Sequence, residues 1–172
     1  MAKGNRIIIT AHPRGVYEEI IVVGTPKPGV VMNKVGATTA IGGRYSYEPA
    51  GTTAASGSKG MSADGDRIPI NVLLSSADHV ACPPGRDATT AYVTGDRGAI
   101  YWPANGEELN MLYQNASGTA DDLTVGDKLI VDDGTGKLLV STGSPEDEPF
   151  ESCEAVVDPT ADQLVWVRYV PG

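Results

Sequence analysis

The stretch VGDKLIVDDGTGKLLVS, Val125 to Ser141, decides how this chain is read. Two apolar runs, Leu129–Val131 and Leu138–Val140, flank the acidic, glycine-bearing segment Asp132–Gly136. Apolar runs of that length are strand-sized, and a connection of about five residues containing glycine makes a hairpin loop. Chemical readings of the same letters fail on spacing. A phosphate loop needs GxxxxGK followed by Ser or Thr at a strand-to-helix turn, whereas Leu138 and a strand follow Lys137. A calcium loop needs further ligands and a distal Glu that this stretch lacks. Lys128 opens a strand, so it does not stand at a hairpin tip as the swinging lysine of a lipoyl carrier would. The stretch is expected to be two antiparallel strands and an acidic turn.

Similar patterns fill the rest of the chain. In QLVWVRYV, Leu164, Trp166 and Arg168 point one way and Val165, Val167 and Tyr169 the other. ESCEAVV is the strand before it, and Asp158–Asp162 the turn between them. TTAYVTGD and GAIYWP read as two strands around Gly95–Gly98. In GEELNMLYQN, the alternation of Leu109, Met111 and Tyr113 favours a strand over the short helix that Glu107 and Glu108 could open. RIPINVLL reads as a strand whose start is an edge or bulge because of Pro69. Pro83-Pro84-Gly85 marks a turn. Arg6–Ile9, Tyr17–Gly24 and Val30–Val35 are further candidates, with a turn at TPKPG, where two prolines remove donors and Gly29 can take positive φ. Glu48–Asp66 has Met61 as its one large apolar side chain and is expected to be a long loop. No segment holds an apolar period of 3.6 over three turns. The expected fold is mainly β, a small β-barrel or β-sandwich with long loops and an extended N-terminal arm. Residues 1–16 form the arm and residues 17–172 a single β-rich domain, with the loop at 48–66.

A chain of 172 residues can bury its core without disulfides. Its two cysteines, Cys82 and Cys153, make no framework and no CxxC pair. No apolar run approaches the roughly 18–20 residues of a membrane span. Ile7–Ile9 is too short for the apolar core of a signal peptide, so synthesis in a cytoplasm is expected. Charge is unevenly placed. Residues 1–47 carry six Lys/Arg and two acids, whereas residues 48–172 carry seven Lys/Arg and twenty acids. An acidic body repels backbone phosphates, which argues against nucleic acid as a partner, while the basic N-terminal third suits an acidic protein surface.

Catalytic and metal chemistry find little support. The two histidines, His12 and His79, stand beside turn residues, and there is no GxSxG and no cysteine-protease signature. Paired carboxylates are so numerous that they single out no glycosidase pair. Asp78, His79 and Cys82 are close in sequence, but no second ligand pair answers them, and zinc needs four good ligands or three and water. The acidic clusters at Asp64/Asp66, Asp121/Asp122, Asp132/Asp133 and Glu146–Glu148 suit solvated turns, with Ca²⁺ binding left open. The expectation is a protein that is no enzyme, with no catalytic residues, no cofactor and no metal.

Five ordered stretches carry a family resemblance. They are GVYEEIIVVGTPKPGVVM (15–32), GAIYWPANGEELNMLY (98–113), LTVGDKLIVDDGTGKLLVSTG (123–143), EPFESCEAVV (148–157) and LVWVRYV (164–170). In order and spacing they resemble the capsid decoration (cement) proteins of tailed bacteriophages, from residue 15 onward apart from the loop at 48–66. The resemblance implies a small barrel or sandwich on the outer surface of the icosahedral head. Its partner would be the major capsid protein, and it would self-associate, as a homotrimer more often than a homodimer. It would stabilise contacts between shell subunits without catalysis and without touching DNA or membrane.

For contacts with the shell or a neighbouring subunit, the expected residues are Lys3, Arg6, Ile7, Ile8, Ile9 and Arg14. Residues 1–17 carry these bases and no acid, and Ile7–Ile9 could add a strand to a neighbouring sheet. The alternative is that Ile7–Ile9 is an internal strand of the domain itself. A different function class, a carbohydrate-binding or host-attachment module on the virion surface, would use Tyr101, Trp102 and Tyr113 as an exposed platform. The same three residues could instead fill the core or a subunit interface.

Overall fold

In a computed structural model, residues 6–39, 43–50, 70–87, 89–114, 122–132, 135–141, 149–157 and 161–170 are described, and they contain no α-helix. Ten strands run in chain order: β1 (Val16–Val22), β2 (Met32–Thr39), β3 (Tyr45–Pro49), β4 (Val72–Leu73), β5 (Arg97–Trp102), β6 (Glu108–Tyr113), β7 (Lys128–Val131), β8 (Leu138–Val140), β9 (Phe150–Ser152) and β10 (Gln163–Tyr169). The N-terminal five form a sheet of order β2-β3-β1-β5-β4, and the C-terminal five close into a barrel of order β10-β6-β8-β7-β9. The mainly β architecture expected from the alternation is the one observed.

The expected hairpin forms, with Val131 opposite Leu138 and Leu129 opposite Val140. Asp133 and Gly134 lie outside the described residues. Across β10 and β6, Val165 faces Met111 and Val167 faces Leu109, and all four are fully buried in the barrel. Leu164 faces Leu112 on the other side of this pair. Both leucines are buried, because that side packs against residues leading into β2. β6 is therefore covered on both faces, which its sequence announces with Leu112 between Met111 and Tyr113.

The two halves meet at residues 29–31. The Gly29 amide donates to the Leu73 carbonyl (2.8 Å), and its own carbonyl accepts from the Leu112 amide (2.8 Å). Leu73 N–H returns a bond to Val30 O (2.9 Å), and Val31 bridges Val72, so the first sheet curls until its two edges touch. Val31 N–H donates to Gly136 O (2.7 Å), and Val31 O accepts from Ala50 N–H (2.9 Å). This close approach needs glycine. Gly136 has φ +68°, and a Cβ there would lie 2.2 Å from the Val31 oxygen. Buried apolar side chains of both halves form one continuous cluster.

Several expectations need correction. TTAYVTGD is not a strand: Tyr92 alone is buried, its hydroxyl donating to Leu74 O (2.8 Å), while Val93 is exposed in a turn closed by Gly95. β3 is not among the expected strands, because YSYEP is short and ends in proline. Among the described residues of RIPINVLL, Val72–Leu73 alone pair as a strand, and the edge or bulge expected at Pro69 lies outside the described residues. ESCEAVV shifts upstream to Phe150–Ser152, leaving Val156 in a lone bridge to Leu123. Most of the loop expected at 48–66 lies outside the described residues; Glu48 and Pro49 end β3, and Ala50 is buried.

Candidate interaction surface

The N-terminal segment is extended, yet from residue 6 onward it does not project as a free arm. It runs antiparallel along β6, with Ile8 bridged to Leu109. Ile7 O accepts from Asn110 N–H (2.7 Å), Arg6 O from the Asn110 side-chain amide (2.8 Å), and Glu108 O from Ile9 N–H (3.1 Å). Thr10 Oγ1 accepts from Glu108 N–H at 2.8 Å. Ile7 and Ile8 are buried in this chain's own core, so in this conformation they add no strand to a neighbour's sheet. Three polar main-chain groups of β6 are thereby satisfied by a segment far away in the chain.

Two buried carboxylates clamp the segment. The Asp78 side chain is fully buried and accepts from Ile7 N–H (2.8 Å), Ile8 N–H (3.2 Å), Ser75 N–H (3.2 Å) and the Ser75 hydroxyl. Its other neighbour is the Arg6 guanidinium at 4.0 Å. Four donors offset the several kcal/mol that burying a carboxylate costs. At the other end, buried Glu107 accepts from Arg14 N–H, the Tyr101 hydroxyl (2.6 Å) and Ala104 N–H (2.8 Å). Burial pushes the Glu107 carboxyl up, but these three donors and the Arg14 charge outweigh it and hold it below the usual glutamate value. Burial and the bond to Glu107 push the Tyr101 hydroxyl far up, so it stays a donor, and its oxygen accepts Gly15 N–H (2.7 Å). Asp78 follows β4 and Glu107 precedes β6, so the clamps stand on different halves of the molecule.

Several apolar side chains on and near this segment are exposed, with Val16 and Tyr17 on opposite faces of β1. Val80 is 99 % exposed at the tip of the turn after β4, Val16 66 %, Tyr17 40 % and Ile9 38 %. The Tyr17 ring is not loose. Its centroid is 4.9 Å from that of buried Tyr101 and 5.5 Å from that of His79, giving a row of three rings. His79 is fixed in turn, because its Nδ1 accepts from Ala81 N–H (3.1 Å). Arg6, 69 % exposed, and Arg14, which donates from Nη2 to Asn105 O (3.0 Å), flank the patch. Of the six contact residues expected from sequence, Arg6, Ile9 and Arg14 face solvent on this surface and Ile7 and Ile8 do not. Lys3 lies outside the described residues. Tyr17, His79 and Val80 join the surface without being expected there. The available signal was an apolar residue between His79 and Cys82 in a turn, where nothing local buries it.

Other candidate sites dissolve once their partners are seen. Asp78 and His79 spend their acceptors on backbone amides, and the Cys82 thiol is buried 3.9 Å from Leu74 O. Among the described residues no three metal-ligating side chains converge. Asp132 bonds the Thr135 hydroxyl (2.6 Å) within the turn. Tyr101 and Tyr113 are core residues and Trp102 is half-buried, so this trio forms no exposed platform. A groove of about 360 Å³ at the seam is lined by Val23, Pro26, Lys27, Val30 and Leu112, with a Lys137–Asp162 ion pair (2.7 Å) also in its lining.

No helix among the described residues is long and apolar enough to cross a membrane. No family model matches this chain, and no curated protein is detectably similar to it in sequence.

Proposed function

We propose that this chain is a structural protein of the virion. It binds the outer surface of a tailed-bacteriophage head and stabilises contacts between major capsid protein subunits, without chemistry of its own. The observation that carries the reading is the solvent-facing pair of Tyr17 and His79, with Ile9 and Val80 exposed near them in the chain, backed by a segment fixed at both ends. Contact surfaces gain affinity from aromatic and apolar anchors whose side chains are already held in place. Arg6 and Arg14 at its margin suit an acidic partner and set orientation more than affinity.

A shell under internal pressure gives way where its subunits adjoin. A protein bridging two subunits adds contact area that must be broken before they part, and repeated sites multiply a modest contact energy through avidity. Self-association, as a trimer before a dimer, places copies at a symmetry axis of the shell and presents several such surfaces at once.

Co-sedimentation of purified protein with expanded heads built from the major capsid protein tests this. The parent chain is expected to saturate the heads, and the pair Tyr17→Ala with Val80→Asp to bind at least about tenfold more weakly, a loss of about 1.4 kcal/mol. Undiminished binding by that variant, with unchanged circular dichroism, rules out this surface. Failure of the parent chain to bind any expanded head, together with binding to a glycan array, favours the carbohydrate-binding reading.

A further inference from the structure

We propose that the β6 edge beneath residues 6–10 is a strand-exchange site that takes the N-terminal segment of a second copy of this chain in place of its own. Such exchange needs only two copies of the chain and no shell.

The site requires an occupant. Without Ile7 and Ile8, the fully buried Asp78 carboxylate keeps only the two Ser75 donors. Asn110 loses the acceptors of both its main-chain and side-chain N–H groups, and the space filled by Ile7 opens in the core. Each buried group left unsatisfied is costly, so the site is expected to be filled in every stable state of the protein.

The occupant that fits is residues 6–10 of this sequence. Their bonds to β6 and Asp78 are complete within those five residues, and none depends on the occupant belonging to the same chain. What ties the segment to its own body is the connector Ala11–Arg14. It is exposed throughout, and its described hydrogen bonds are Arg14 to Glu107 and to Asn105. Filling the site from within or from a second copy makes the same contacts, and the difference lies in the connector. Short connectors of this kind favour exchange between copies.

The exposed apolar residues point the same way. Ile9 precedes the connector, Tyr17 follows it, and Val80 stands beside His79, which contacts Tyr17. A connector crossing between copies draws these surfaces together and buries them, which the self-closed monomer cannot do.

Self-closure competes through an effective concentration on the order of millimolar, so exchange is favoured where copies are crowded or the connector is shortened. The test uses the full chain with a photo-crosslinking phenylalanine derivative at Ile9, expressed together with a differently tagged copy. Irradiated products are sorted into intrachain and interchain species by intact mass and by the tags they carry, and peptide mass then locates the attachment on β6. Interchain product is expected to rise with concentration in the parent. It should increase about tenfold when His12 and Pro13 are deleted, and fall when a Gly-Ser insertion lengthens the connector. Product confined to one chain in the parent up to millimolar concentration overturns the proposal, whether or not the shortened chain folds. Interchain product indifferent to connector lengthening also overturns it, since simple patch-to-patch association would behave that way.

Discussion

Gly136 shows how a single missing side chain sets the shape of this molecule. Its positive φ is uncomfortable for any residue with a Cβ, and a methyl group there would press to 2.2 Å from the Val31 oxygen. Val31 cannot retreat, because its carbonyl also holds the Ala50 amide and its amide holds Gly136. Gly136→Ala is therefore expected to destabilise the fold by about 2–4 kcal/mol, read as a lower urea midpoint at unchanged slope. At Gly43, whose φ is also positive, a methyl group would meet no described atom within 4 Å, so this second penalty is missing there. The sequence alone shows that Gly136 sits in a turn. It does not show that the turn rests on a stretch of backbone far upstream.

Among the elements, the N-terminal segment depends most on distant groups, and its clamp at Glu107 is sensitive to acid. The folded carboxyl holds its charge below the ordinary glutamate value of 4.5, so on acidification the unfolded chain takes up the proton first. The stabilisation is complete above that ordinary value and is lost as pH falls through the lowered folded one. Glu107→Gln is expected to cost about 1–3 kcal/mol at neutral pH, with the gap to the parent closing as pH drops through that window. Urea midpoints of both proteins as a function of pH measure this. The same segment marks the limit of sequence reading. The alternation of β10 and the hairpin are plain in the sequence, because each strand's partner face is apolar and its pattern is local. Ile7–Ile9 are plainly apolar as well, but their cover is Asp78 and β6, far along the chain, and no local pattern encodes that. In TTAYVTGD, strand-favouring residues serve instead to hold one plug, Tyr92, against Leu74. Of the candidate surface, the bases and Ile9 could be named from sequence, whereas Tyr17, His79 and Val80 are joined only by the pairing of β1 with β5 and the turn after β4.

At the scale of the whole molecule, two five-stranded units share one buried core. Gly29 bonds both, Leu112 and Leu164 fill the seam, and the buried cluster does not stop at it. The two tryptophans report on the two units, Trp102 at the end of β5 and Trp166 within β10. Urea transitions followed by fluorescence in Trp102→Phe and in Trp166→Phe are expected to coincide after correction for each variant's own stability, as for a two-state domain. Separated transitions, with one unit melting while the other stays folded, would show that the seam is weak.

The placement of the two carboxylate clamps has a mechanical consequence. A pull on Ile9 is handed at one end of its segment to Asp78 and at the other, through Arg14, to Glu107, and so is split between the sheet and the barrel. Force along the segment acts on its bonds to β6 side by side, so they resist together and not in succession. The molecule behaves less like a hook screwed into one wall than like a tie-bar anchored in two.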